Sequence, residues 1–223
     1  MQKYFPSLQK CPLFHSIPQE DMMVLFQCLG AKVRFYKKCE TVLRMGEPAR
    51  EIGVVLEGEI HIEQMDYQGK RSMVGHVGVN GIFGEAFSCA GIEELPVDVV
   101  AAKATEILWI DCRRITATCG NACVFHNQVL FNLLQIMARK NLFFHQKIQI
   151  MSRRTTREKL LAYLNWQAGE HGSNSFTIPY NRQELADFLE VDRSGLSTEI
   201  GKLCRENVLE CKRNFFIYYS LIG

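Results

Sequence analysis

The stretch NRQELADFLEVDRSGLSTEIGKLCRENVLE, from Asn181 to Glu210, decides how this chain is read. Asn181 followed by Glu184 has the form of a capping box, in which a side chain and a backbone N–H satisfy each other at a helix start. Leu185, Phe188 and Leu189 then give that helix one apolar face. Glu190-Val191-Asp192 is a tight turn, with Asp192 placed to cap a second helix. In that helix Leu196, Ile200 and Leu203 recur at helical spacing and point inward. Arg193, Ser194, Ser197 and Thr198 therefore face solvent. Two short helices with a tight turn and a small, hydrogen-bonding outer face fit a helix-turn-helix. Lys212-Arg213-Asn214, between Val208-Leu209 and FFIYYSLI, reads as the tip of a β wing. An ordinary helical hairpin with a solvated face shares the same periodicity. The wing, and a long helix upstream, favour DNA binding.

That upstream helix runs from about Cys123 to Met151. Leu130, Leu134, Met137, Asn141, Phe144, Ile148 and Met151 follow one another at steps of four and three. This is the seam of a coiled coil, or of a helix packed on its own domain. The sustained rhythm favours a two-stranded contact between copies. Asn141 within it is costly unless it meets a partner, and such a residue commonly fixes register. The polar, basic run Ser152-Arg153-Arg154-Thr155-Thr156-Arg157 marks a boundary, and EKLLAYLNWQA returns to helical period.

From Val33 to Ile110 the pattern changes to short strands. Residues 52–56, 59–62 and 73–77 are β-branched and apolar, and Glu57-Gly58, Gln68-Gly69 and Asn80-Gly81 punctuate them. Such spacing predicts a sandwich or barrel, with Gly46, Gly58, Gly69, Gly81 and Gly84 suited to positive φ. A short helical opening, PQEDMMVLFQCL, precedes it. The expected fold class is α+β, in three parts: a jelly-roll β-barrel sensor domain at 1–122, a dimerisation helix at 123–151 and a winged helix-turn-helix at 152–223.

Bulk properties limit the function. The 223 residues carry 26 Lys and Arg against 24 Asp and Glu, so any nucleic-acid contact must come from a local patch. Residues 152–223 hold ten basic and nine acidic side chains, so the charge there must be sorted onto one face. The start of the chain lacks the basic and apolar run of a signal peptide, and no stretch is apolar enough to span a membrane. Nine scattered cysteines in a chain of this size predict free thiols in a reducing cytoplasm. The strands carry His61 and His76 singly, without the clustered ligands of a cupin-type metalloenzyme, and no nucleophilic triad is evident. No catalytic residue, metal ligand or cofactor is therefore assigned.

Taken together, Gly84-Glu85 in its loop, the seam helix, TTREKLLAYL and NRQELADFLEVDRSGLSTEI resemble the cyclic-AMP receptor protein and FNR family of bacterial transcription regulators. The resemblance covers nearly the whole chain. It implies a homodimer on double-stranded DNA, with RNA polymerase and a small-molecule effector as further candidate partners. It also implies that the helix beginning near Asp192 enters the major groove. Arg193 and Ser194 are then base-reading candidates, with Ser197 and Thr198 beside them. Arg182 falls at a phosphate-contacting position, and Gln183 and Lys202 complete the set. Thr198 departs from the Arg that many relatives place there.

The same resemblance makes FGEAFSCAGIEELPVDVVA, Phe83 to Ala101, the effector loop. Cyclic-nucleotide-binding relatives end this loop with an Arg-Ser or Arg-Thr pair that holds the cyclic phosphate. This chain has Pro96-Val97, which offers neither cation nor hydroxyl, so cyclic AMP is not expected to bind. The expected pocket comprises Gly84, Glu85, Phe87, Cys89, Pro96, Val97 and Val99, closed by Asn141, Phe144 and His145 of the long helix. A small apolar or aromatic molecule with one polar handle suits that lining. Alternatively Phe87 and Phe144 fill the space and no effector exists. A redox- or haem-responsive regulator of the same fold is the rival reading. Cys11, Cys28 and Cys39 lack the spacing of an iron–sulfur site, Cys119 and Cys123 could form a redox pair, and His61, His76, His126 and His145 are candidate haem ligands without a specific signal.

Overall fold

The computed structural model describes residues 2–65, 71–117 and 124–219, which fall into two compact units, Met1–Arg139 and Lys140–Gly223. The first opens with α1 (Phe5–Leu8) and α2 (Met22–Cys28). Strands β1 (Lys32–Tyr36), β2 (Thr41–Leu43), β3 (Glu51–Glu57), β4 (Glu59–Met65), β5 (Arg71–Gly78) and β6 (Ile82–Phe83) follow. Then come α3 (Glu85–Ala90), β7 (Asp98–Ala101), β8 (Thr105–Asp111) and α4 (Cys112–Thr116). The long helix α5 (Val124–Met151) contributes residues to both units.

Two antiparallel sheets, ordered β1-β8-β3-β6 and β2-β7-β4-β5, form the sandwich that the strand spacing predicts. The central strands β3 and β8 are apolar almost throughout because both of their faces are covered. Val55, Ile107 and Trp109 point between the sheets, where they meet Phe83, Ile60 and Val99. Ile52, Val54, Leu56, Leu108 and Ile110 point the other way, onto the N-terminal helices and the first turns of α5. Strand alternation thus serves two cores from one sheet. Phe83 lies edge-on to Trp109, with centroids 5.4 Å apart. It passes so close to Gly53 that a Cβ there would stand 2.2 Å from the Phe83 ring. Trp109 donates its indole N–H to the Tyr36 hydroxyl at 3.1 Å, which satisfies the one polar atom that burial would leave dry.

Of the glycines expected at positive φ, Gly46, Gly58 and Gly84 adopt it. In the Asn80-Gly81 turn the left-handed residue is Asn80 instead, at φ 66°. A Cβ on Gly81 would meet Val77 Cγ1 at 2.3 Å, so that glycine serves close packing and not backbone freedom. Gly69 lies outside the described residues.

Buried Asn132 fixes the start of α5. Its amide donates to the carbonyls of Leu13 and His15 at 3.0 and 2.9 Å, and Gln128 donates to its oxygen at 2.9 Å. Two residues of the expected seam, Leu130 and Met137, pack partly against the core of their own unit. Leu134, at 60% exposed, does not.

The second unit holds α6 (Thr156–His171), β9 (Ser175–Thr177), α7 (Arg182–Leu189), α8 (Arg193–Arg205), β10 (Leu209–Lys212) and β11 (Phe215–Tyr218). The helices bury Leu160, Tyr163, Leu164, Leu185, Leu189, Leu196, Ile200 and Leu203 in one core. The strands form a sheet ordered β10-β11-β9. Strand β9 lies in a segment too short and polar to show a strand period in the sequence. It is held there by pairing with β11, Phe176 opposite Phe216.

Candidate functional site

Helix α7 starts on the expected capping box. Asn181 Oδ1 accepts from the backbone N–H groups of Gln183 and Glu184 at 2.9 and 3.0 Å, and Asn181 N–H donates to Glu184 Oε2 at 2.7 Å. Glu190 takes the left-handed conformation at φ 50° and ends the helix. Asp192 then caps α8, accepting from Gly195 N–H at 2.7 Å and from the Ser194 hydroxyl. The Ser194 bond, followed by that of Gly195, holds the Asp192 carboxyl below the ordinary carboxylate range. The angle between α7 and α8 is thereby set by caps at both sides of a three-residue turn.

The two helix faces separate as the sequence predicts. Leu196, Ile200 and Leu203 are buried, while Arg193, Ser194, Ser197, Thr198 and Lys202 are exposed. Their hydrogen-bonding capacity differs sharply. Ser194 is engaged with Asp192, Thr198 donates to the Ser194 carbonyl at 3.0 Å, and Lys202 pairs with Glu199 at 3.2 Å. Arg193 and Ser197 enter no side-chain hydrogen bond or ion pair among the described residues, so their donors remain open to an external partner. Gln183 donates to Asp187 Oδ1 at 2.8 Å along the exposed side of α7.

Arg182 is built into the wing. Its guanidinium donates to Cys211 Sγ at 3.2 Å and to the Arg213 carbonyl at 3.3 Å, and lies 5.8 Å from the centre of the Phe216 ring. The wing tip carries exposed Lys212 and Arg213, with Arg213 left-handed at φ 58°. Asn214 anchors it by donating to the Ile178 carbonyl at 3.1 Å. Some other cations of the unit are engaged. Arg157 pairs with Glu199 at 3.4 Å and with Glu206, and Lys159 donates to the Leu189 carbonyl at 3.1 Å. Arg193 and the wing cations stay available for phosphates and base edges. The wing cations Lys212 and Arg213 were not among the sequence-derived candidates, although their place at the hairpin tip was the available signal.

The effector-loop residues differ in exposure. Gly84, at φ 78°, starts α3, and Glu85 is buried at 3% exposed. Phe87 is half-buried, Cys89 and Pro96 are exposed, Val97 is buried and Val99 belongs to the core between the sheets. That interior is occupied by Phe83, Trp109 and their aliphatic neighbours. Leu95 pins the loop, donating to the Glu47 carbonyl at 3.0 Å and accepting from Gly46 N–H at 2.9 Å. Cys89 turns toward Cys112, with the two sulfurs 3.3 Å apart.

Asn141, Phe144 and His145 lie on α5 in the second unit, all exposed, with His145 beside Gln149 at 3.1 Å. Ile148 is 65% exposed and Met151 half-buried. Phe144, Ile148 and Met151 border an apolar depression of about 530 Å³ with Lys147, Ser152 and Glu190. His126 is buried, with Nε2 donating to the Arg114 carbonyl at 2.7 Å and Nδ1 3.6 Å from Cys28 Sγ. His61 and His76 stand opposite each other on β4 and β5. Among the described residues no three His, Cys, Asp or Glu side chains are grouped to hold a metal ion. Cys119 and Cys123 lie outside the described residues. No described helix is long and apolar enough to cross a membrane.

Comparison with known proteins matches residues 33–121 to the cyclic nucleotide-binding domain and residues 158–218 to the Crp-like helix-turn-helix domain. The nitrogen fixation regulation protein FixK of Bradyrhizobium diazoefficiens is 24% identical over 189 residues, covering 82% of this chain and 76% of that protein. Among solved structures, OCPA-complexed CprK aligns with a TM-score of 0.64 at 17% identity, over 91% of this chain and 92% of that one. The c-di-GMP responsive global regulator CLP of Xanthomonas campestris aligns at 0.55 and 16% identity, over 89% and 99%. These structural likenesses establish the fold.

Proposed function

The chain belongs to the CRP/FNR family of DNA-binding transcription regulators, and we propose that it works as a homodimer that reads an inverted-repeat operator and does not answer to cyclic nucleotides. The observation that carries the DNA reading is α8 itself: a capped helix whose first-turn Arg193 is exposed with its donors open, next in the chain to a wing tipped by Lys212 and Arg213. An Arg fork in the first turn can hold guanine O6 and N7 together, whereas hydroxyls already engaged, such as that of Ser194, add less. Arg182 and Gln183 at the start of α7, with Ser197, Thr198 and Lys202 along α8, complete the contact surface. The dimer reading rests on Leu134, Phe144 and Ile148, apolar seam side chains left in solvent on a helix that also exposes Phe131 and Leu142. Such a regulator acts on cytoplasmic DNA, with RNA polymerase as its natural further partner.

The absence of a cyclic-nucleotide response rests on charge and on space. The segment Phe83 to Ala101 contains no Lys or Arg, and it carries Glu93, Glu94 and Asp98. A phosphate placed there meets like charge and no fork to neutralise it. The interior between the sheets is taken by Phe83 and Trp109. An effector, where one acts, is then a small apolar or aromatic molecule, with Gly84, Glu85, Phe87, Pro96 and Val97 in its surroundings. Titration calorimetry of the purified chain with cyclic AMP or cyclic GMP should be flat. A micromolar dissociation constant, abolished by changes at Pro96 and Val97, would overturn this part of the reading.

A further inference from the structure

Cys89 and Cys112 belong to nothing that the DNA-reading account uses. Cys89 sits near the end of α3 and Cys112 opens α4, and their sulfurs are 3.3 Å apart. Joining them needs a movement of about 1.3 Å, down to the ~2.0 Å of an S–S bond. Their accessibilities differ: Cys89 is exposed and Cys112 is 7% exposed. Both border a cavity of about 350 Å³ walled also by Arg50, Ser88, Arg113 and Thr116, wide enough to admit a small reagent. Burial first, and the hydrogen bond with Cys89 second, push the Cys112 thiol up to about 12. The two thiols therefore share a hydrogen bond in which Cys112 is buried, while solvent reaches Cys89. Cys11 offers a contrast, because it is fully buried and its thiol is pushed up to about 11 by burial, without a partner sulfur among the described residues.

We propose that Cys89 and Cys112 form a redox-active dithiol that closes to a disulfide when the protein meets a hydroperoxide. The Cys89 thiol gives up its proton to the departing oxygen as its sulfur attacks the terminal peroxide oxygen and the O–O bond breaks. That oxygen stays on sulfur as a sulfenic acid, and the remainder leaves as an alcohol, or as water from hydrogen peroxide. The Cys112 sulfur then attacks the Cys89 sulfur, the S–O bond breaks, and the hydroxyl leaves as water with the Cys112 proton. Two thiols give up two electrons, and the peroxide bond takes them. The product ties α3, the helix that follows Gly84, to the end of β8.

The test uses the full chain, reduced and then exposed to a small excess of hydrogen peroxide. Remaining thiols are alkylated under denaturing conditions and the peptides mapped by mass. A linked Cys89–Cys112 peptide should be the main disulfide and should disappear with dithiothreitol. In Cys112→Ala, dimedone should trap a sulfenic acid on Cys89. In Cys89→Ala, which changes an exposed side chain and keeps the fold, Cys112 should stay alkylatable in full. Exposed Cys39 is the internal reference. Full alkylation of both thiols after oxidation, pairing of Cys89 with another cysteine, or oxidation of Cys89 no faster than Cys39 would each overturn the proposal.

Discussion

Leu134→Lys combined with Ile148→Lys is expected to leave the chain monomeric at micromolar concentration. The two positions are 60% and 65% exposed in the isolated chain, and they lie two heptads apart on α5. In a twofold contact each substitution appears twice, so two changes place four like charges in one apolar seam. Effective desolvation costs of several kcal/mol per unpaired ion exceed what a standard apolar contact recovers. A loss of about 4 kcal/mol already weakens the dimer about a thousandfold. Met137 looks equivalent in the heptad but makes a poorer test, because it packs partly into the core of its own unit. Its replacement would lower stability and confuse the result. Sedimentation velocity distinguishes the outcomes. A dimer that survives the double change would place the contact elsewhere.

The second large effect is expected at Arg193. Arg193→Ala should lose roughly 1–3 kcal/mol per half-site and relax the preference at one base position, because the lost bonds are to a base edge. Arg182→Ala should weaken all sequences alike and flatten the dependence of affinity on salt, as loss of a phosphate contact does. The structure adds a second reason for that uniform effect. Arg182 holds the wing through Cys211, the Arg213 carbonyl and Phe216, so its loss also loosens the presentation of Lys212 and Arg213. Binding of both variants to randomised duplexes, at two salt concentrations, separates the roles. A preserved sequence preference in Arg193→Ala with an altered one in Arg182→Ala would move the reading face from α8 to α7.

The winged helix-turn-helix was legible because its signals are local. Asn181 with Glu184, Asp192, and the spacing of Leu196, Ile200 and Leu203 each act within a few residues, and each does in three dimensions what its spacing implies. The sandwich was legible for a related reason, since β3 announces itself as an apolar run at 52–56 bounded by Glu57-Gly58. What was not legible depends on contacts far apart in sequence. Nothing near Asn132 signals that it will bond the carbonyls of Leu13 and His15. The four-three rhythm of α5 cannot reveal that Leu130 and Met137 turn to their own core while Leu134 and Ile148 stay in solvent. Both sets share one helical period. Phe83 reads as the first residue of a ligand loop, yet its ring belongs to the core beside Trp109. Cys89 reads as a pocket residue, and only the fold sets it against Cys112.

The most direct measurement of the central claim is selection of duplexes from a randomised pool by the purified chain at physiological salt. The enriched sites should be inverted repeats, with half-site centres about one helical turn, ~34–36 Å, apart, because a twofold dimer presents two copies of α8 to successive major grooves. Enrichment of a single half-site or a direct repeat, or no enrichment over the starting pool, would contradict the account.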